Sequence, residues 1–483
     1  MMFTIRPSYS ANCSRRAFLR VGAAGLGAVG LTRLLRGGEP ADKPWLRDKS
    51  VVWLWLGGGP PQAETWDPKP DAPESVRTMF GEIQTSLPGV AFGSHLPKLA
   101  ERANRLAIIR SFQTPCKDHQ DNWVRAMLTG SEAKMSPPSA GSVYAYLRGT
   151  NNPHTGVPSY IVLDSGNNQE FLQEHFLRGN THGDLSVAYA PFNPAGVITR
   201  SPEPTGPRRK PDGDVTFSPL VQNMELRIPA DRAANRRELL RGLDAATRRL
   251  ESDPMCAAHD AYTEQAYKVL QGSVAEAFRL DREDPRTVER YDTSHITLTC
   301  PNFLKLPDFP RRPSLLGRQM LMARRLCEAG AGLVMVENCG WDFHGGDGLN
   351  PNVKDGLEGF GPQLDHAVSA FLDDVRDRGL KDRILLVVCG EMGRTPKINP
   401  KGGRDHWPSL APLLLAGGGF KMGQVIGESD SQAGRPVTTP VTPADLISTV
   451  LRTLLDPTKL RLFPNIRPDL LRRVEGVPIP GLS

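Results

Sequence analysis

The residues best equipped for chemistry in this 483-residue chain fall in three short clusters. The first is Gly340-Trp341-Asp342-Phe343-His344-Gly345-Gly346, where a carboxylate and an imidazole stand two positions apart. Hard oxygen and borderline nitrogen donors suit Zn, Mn or Fe, and flanking glycines let backbone approach an ion closely. The second is Cys389-Gly390-Glu391-Met392-Gly393-Arg394-Thr395-Pro396, and the third is Gly402-Gly403-Arg404-Asp405-His406-Trp407-Pro408. They add Glu391, Asp405 and His406 as donors. Arg394 and Arg404 each carry a planar, permanently charged fork that suits the oxygens of a phosphate or sulfate, or else an ion pair with Glu391 or Asp405. An Asp-x-His alone is a weak signal; the convergence of three clusters carries the weight.

Each cluster adjoins an apolar run of strand length. Residues 333–337 precede the first, and residues 383–389 lead into the second. The third stands between that strand and the run 410–416. Earlier runs at 51–56, ending in Gly57-Gly58-Gly59, at 105–110 and at 160–163 read as further buried strands. Helical periodicity at 314–329 and 363–378 alternates with the late strands. The expected fold class is therefore α/β, a mostly parallel central sheet with helices on both faces. Ligands of such sheets gather beyond the carboxyl ends of the strands, where all three clusters must then lie. The middle, residues 192–309, reads as an inserted cap of loops and helices, with an exposed Pro-, Arg- and Gly-rich loop at 201–214.

The amino terminus reads as an address. Ser14-Arg15-Arg16-Ala17-Phe18-Leu19-Arg20 follows the twin-arginine export consensus, and residues 21–31 form a short apolar Gly- and Ala-rich segment. That segment is too short to favour a stable transmembrane span. Residues 1–43 are thus read as signal and linker, and residues 44–483 as one folded domain. A translocase that carries folded proteins makes a dense disulfide framework unexpected for the seven cysteines, none in a Cys-x-x-Cys pair. Hydrophobic and charged fractions of 39% and 23% are those of a folded globular chain. The formal charge of +6 is partly carried by the signal, and no basic stripe interleaved with aromatics points to nucleic acid.

From residue 44 onward the chain resembles the secreted family of domain of unknown function 1501, within the alkaline-phosphatase and sulfatase-like superfamily. The resemblance rests on Leu56-Gly57-Gly58-Gly59, Thr65-Trp66-Asp67-Pro68-Lys69-Pro70, Leu128-Thr129-Gly130, Gly340-Trp341-Asp342 with His344, Gly390-Glu391 with Gly393-Arg394-Thr395-Pro396, and Gly403-Arg404-Asp405-His406. It implies one or two divalent ions (Zn, Mn, Ca or Mg) at the carboxyl edge, with Asp342, His344, Glu391 and His406 as ligands. Asp405 and Glu64 are further candidate ligands. Relatives usually carry Ser-His and Asp where this chain has Pro60-Pro61-Gln62-Ala63-Glu64. No Cys-x-Pro-x-Arg sulfatase signature is present. Thr114 is the nearest hydroxyl candidate for a nucleophile, while Asp118, His119 and Asp121 could bind metal or activate water.

The function expected is hydrolysis of a phosphate or sulfate ester, small or on a glycan, outside the cytoplasm. Arg394 or Arg404 would steady the ester oxygens and His119 would join the catalysis. The rival is a catalytically silent exported module that binds a polysaccharide or protein at the cell surface. The export reading is checked by fractionation: with Arg15 and Arg16 both replaced by Lys, the protein should stay in the cytoplasm, and unchanged export refutes the signal.

Overall fold

The computed structural model describes residues 43–132, 137–163, 170–194, 232, 274–298, 312–345 and 350–482. The twin-arginine segment and most of the expected cap lie outside them. Seven strands form the central sheet: β1 (Ser50–Trp55), β2 (Ala107–Ile109), β3 (Tyr160–Leu163), β4 (Leu333–Glu337), β5 (Ile384–Cys389), β6 (Leu413–Gly417) and β7 (Gln424–Ile426). Their order is β7-β2-β6-β5-β1-β4-β3. β1 pairs in parallel with both β4 and β5, β3 with β4, and β7 with β2. Only β6 is antiparallel to its neighbours, β5 and β2. The sheet is mostly parallel, as the sequence pattern implies.

The short apolar runs become strands because they are covered on both sides. Along β1, Val52 and Leu54 enter one apolar cluster while Val51, Trp53 and Trp55 enter the other. Burial of each such side chain contributes about 1.5–3 kcal/mol. The first face is covered by α3 (Leu316–Glu328) and α4 (Val353–Asp377), the second by α1 (Asp121–Thr129), α2 (Ala140–Arg148), α5 (Pro443–Leu454) and α6 (Pro468–Glu475). Helix α4 begins ten residues before the periodic stretch legible from 363. Asn352 caps it by accepting from Asp355 N, and the helix runs through Pro362, which forfeits one backbone donor. α5 starts at a capping box between Thr442 and Asp445. β7 and α2 lie outside the runs and periodic stretches read from the sequence.

Of the region expected as a cap, the longest described stretch, residues 274–298, packs on α3. Val274, Phe278 and Tyr291 join the first apolar cluster, and Arg324 on α3 pairs with Glu283 at 2.7 Å and Asp374 at 2.8 Å. Among the described residues, no helix is long and apolar enough to cross a membrane.

The reversal of β6 matters for the site. Parallel strands need a crossover, usually helical, whereas residues 390–412 form only the two-residue ribbon Gly393–Arg394 with His406–Trp407. They stay on the edge where β5 ends and β6 begins. The loop after β1 meets the loop after β4 there at very short range. Gly58 has φ +107, and a Cβ on it would stand 2.6 Å from Asp342 N. Gly58→Ala should therefore destabilise the protein by at least ~1–3 kcal/mol, measured by denaturant unfolding, and shift Asp342. An unchanged midpoint would contradict this close approach.

Candidate metal centre

Loops from both halves of the chain deliver three donors to one point. His119 comes from the long connection between β2 and α1, Asp342 from the loop after β4, and His406 from the ribbon before β6. One donor atom from each lies within 4.8 Å of the other two. His119 Nε2 stands 3.2 Å from Asp342 Oδ1, and His406 Nε2 stands 3.4 Å from the same oxygen. Donors about 2.0–2.2 Å from a shared tetrahedral ion would stand roughly 3.3–3.6 Å apart. Both imidazole nitrogens are buried and make no hydrogen bond. Their other nitrogens are anchored. His119 Nδ1–H donates to Glu391 Oε1 at 2.6 Å, and His406 Nδ1–H donates to the Lys117 carbonyl at 3.1 Å. Ligating histidines characteristically hand their second N–H to a carboxylate or carbonyl, so this His-Asp-His set fits a single divalent ion.

The remaining candidates take other places. His344 Nε2 lies 3.1 Å from Asp342 Oδ2, opposite the oxygen that the two other histidines share, and 2.9 Å from Asn350 Nδ2. Glu391, expected as a ligand, sits behind His119, and Gly58 N–H donates to its Oε1 at 2.8 Å. Asp405 points away and accepts from Asn399 Nδ2 at 3.0 Å. Glu64 is not brought to the cluster. Its Oε1 accepts from Arg404 at 2.8 Å, and its Oε2 from Thr78 Oγ1 and Met79 N.

The two arginines were expected to face substrate oxygens, and the structure gives them internal work instead. Arg394 is 0% exposed; its Nε donates to Gly59 O, one terminal nitrogen to Arg404 O, and the other to Gly58 O and to Asp342 Oδ1 at 2.5 Å. Arg404 is 1% exposed and divides its donors among Glu64 and the carbonyls of Thr395, Pro396, Val76 and Arg77. Every guanidinium nitrogen of both is engaged. Of Asp118, His119 and Asp121, only His119 turns into the cluster; Asp118 accepts from Gln120 N and Asp121 pairs with Arg125. Thr114 is buried, its N–H bonded to Pro408 O. The Lys117 carbonyl and the Gly58 N–H are contributors that sequence reasoning missed, because a backbone group has no residue-type signature.

Electrostatics sharpen the site. Burial pushes the His119 pKa down, but the flanking carboxylates of Asp342 and Glu391 outweigh it and raise the imidazole to about 9. Burial also acts to raise Asp342, yet the Arg394 guanidinium and the three surrounding histidines hold it well below the usual carboxylate range.

Taken together, the fold and site define a mixed α/β protein with a carboxyl-edge His-Asp-His centre. The chain belongs to the family described as protein of unknown function DUF1501, whose model matches residues 48–479. No curated protein matches the sequence. Among solved structures it is distantly similar to the lipoteichoic acid synthase LtaP from Listeria monocytogenes, with TM-score 0.33, 10% identity, and 88% of this chain and 77% of that chain covered. The phosphonate monoester hydrolase SpPMH from Silicibacter pomeroyi gives 0.31, 12%, 84% and 74%. The alkaline phosphatase from the Antarctic bacterium TAB5 gives 0.29, 9%, 78% and 94%.

The raised imidazole sets a pH dependence. A metal must displace the His119 proton, so apparent affinity should climb by up to tenfold per pH unit toward about pH 9 and then level. Without metal the sign reverses for stability: the protonated imidazole stabilises the fold below its ordinary value of 6.5, and this is lost as pH rises through about 9. Titration calorimetry and thermal melts across that window check both; a pH-independent affinity contradicts the protonated site.

Proposed function

We propose that this protein is an exported metal-dependent hydrolase of phosphate or sulfate esters, acting on a small ester or a sulfated or phosphorylated glycan. One observation carries the reading: His119 Nε2 and His406 Nε2 face a single oxygen of Asp342, and neither makes a hydrogen bond. A bound divalent ion (Zn, Mn, Ca or Mg) would supply Lewis-acid polarisation of the ester and ease ionisation of an attacking water or hydroxyl. The chain's own residues prepare that chemistry. Asp342 and His119 form the buried wall, and Arg394 keeps Asp342 a carboxylate. His406, 28% exposed, and His344, 25% exposed, form the side open to substrate. Export by the twin-arginine translocase would place this activity in the periplasm or beyond, free or tethered by an uncleaved signal.

A second reading, the catalytically silent module binding a polysaccharide or protein partner at the cell surface, is favoured by one observation. With every guanidinium nitrogen of Arg394 and Arg404 engaged, neither is left to grip the transferred group.

Thermal stability and hydrolysis of aryl phosphate and aryl sulfate, measured across Zn, Mn, Mg and Ca, distinguish the two. Metal at about a hundred times its dissociation constant should stabilise the folded protein by ~2.7 kcal/mol, and His406→Ala should remove most of that gain. The hydrolase should also lose turnover by orders of magnitude in the variant. Stabilisation without turnover supports the silent module; no metal-dependent stabilisation refutes both.

A further inference from the structure

We infer that Glu391 is the positioning residue of His119 rather than a metal ligand, an inference that rests on the metal reading above. The donor set within mutual reach comprises His119, Asp342 and His406, and Glu391 stands one layer behind it. Its Oε1 lies 2.6 Å from His119 Nδ1. A carboxylate oxygen only accepts, so Nδ1 carries the proton and Nε2 is the nitrogen turned to Asp342 Oδ1, 3.2 Å away. The carboxylate is fixed in turn. It is 1% exposed, and the same Oε1 takes the Gly58 N–H at 2.8 Å, from a glycine whose φ of +107 few other residues adopt. His406 is held by the same device with a different acceptor, the Lys117 carbonyl at 3.1 Å. The two imidazoles are thus oriented alike, but only His119 is backed by a full negative charge, which strengthens the hydrogen bond and the basicity of Nε2.

The direct-ligand alternative would use Glu391 Oε2, which is buried and makes no hydrogen bond. The two roles separate by measurement on the full chain. Zn²⁺ affinity is read by competition with a chromophoric chelator, and the ligand set by the Co²⁺ d–d spectrum at saturation, for the parent, Glu391→Gln and Glu391→Asp. Gln still offers an oxygen to Gly58 N–H but removes the charge; Asp keeps the charge but draws the carboxylate back from Nδ1. The positioning role predicts a 10- to 100-fold loss of Zn²⁺ affinity in either folded variant, with band positions and intensity of the saturated Co²⁺ complex unchanged. Metal-free melts identify which variants fold. Affinity within twofold of the parent overturns the inference, and so does a saturated Co²⁺ spectrum showing a lost ligand. A parent that binds none of Zn²⁺, Co²⁺, Mn²⁺, Mg²⁺ and Ca²⁺ overturns the inference together with the metal reading, whereas parent binding of Zn²⁺ that ignores both substitutions overturns the inference alone.

Discussion

The contact between Arg394 and Asp342 is the constraint on which the site depends. Its guanidinium lies 2.5 Å from Asp342 Oδ1 and also reaches the carbonyls of Gly58, Gly59 and Arg404. One side chain therefore joins the loop after β1, the loop after β4 and, from the first strand of the ribbon between β5 and β6, the segment that leads into the second. Taking two such charges out of water is costly unless they are paired and fully hydrogen-bonded, and removing one partner of a buried pair typically costs about 3–5 kcal/mol. The three histidines around Asp342 inherit their positions from that pair. A carboxylate free to rotate would not present one oxygen to His119 and His406 and the other to His344.

A second buried pair stands behind the first. Glu64 and Arg404 meet at 2.8 Å, and Arg404 also ties down the carbonyls of Val76 and Arg77. The Asp67 carboxylate works similarly, meeting Lys69 at 3.1 Å and Arg110 at 3.3 Å. These contacts replace ladder hydrogen bonds in a region of long loops, where the backbone has few regular partners. They also explain why Glu64 and Arg404, so suggestive of chemistry by residue type, serve architecture: a charge this deeply buried is held by partners rather than offered to a ligand.

The family's function is unknown, and the arrangement narrows the question. Charge is concentrated on Asp342, Glu391 and their histidines, and the arginines compensate that charge from inside. What remains open to solvent is imidazole, chiefly His406 and His344. Chemistry at this edge thus depends on what those imidazoles and an ion can supply together.

Much of the architecture was legible in the sequence. Short apolar runs such as 333–336, bounded by turn residues, read as strands buried on both faces, and their alternation with helical stretches points to an α/β sheet with polar loops at its carboxyl edge. That Asp342 and His406 belong to this edge follows from their places beside such runs. Three things were decided only by the tertiary structure: the reversed direction of β6, the partner of each charged side chain, and the backbone groups that complete the site. Each depends on contacts between residues well separated in the chain, some of them hundreds of positions apart, such as Glu391 with His119 or Arg404 with Glu64. Local periodicity specifies which face a residue turns to the core, but not which distant loop it meets there. A Glu next to an Arg in sequence reads the same whether the two pair with each other or, as here, each finds its partner across the sheet edge.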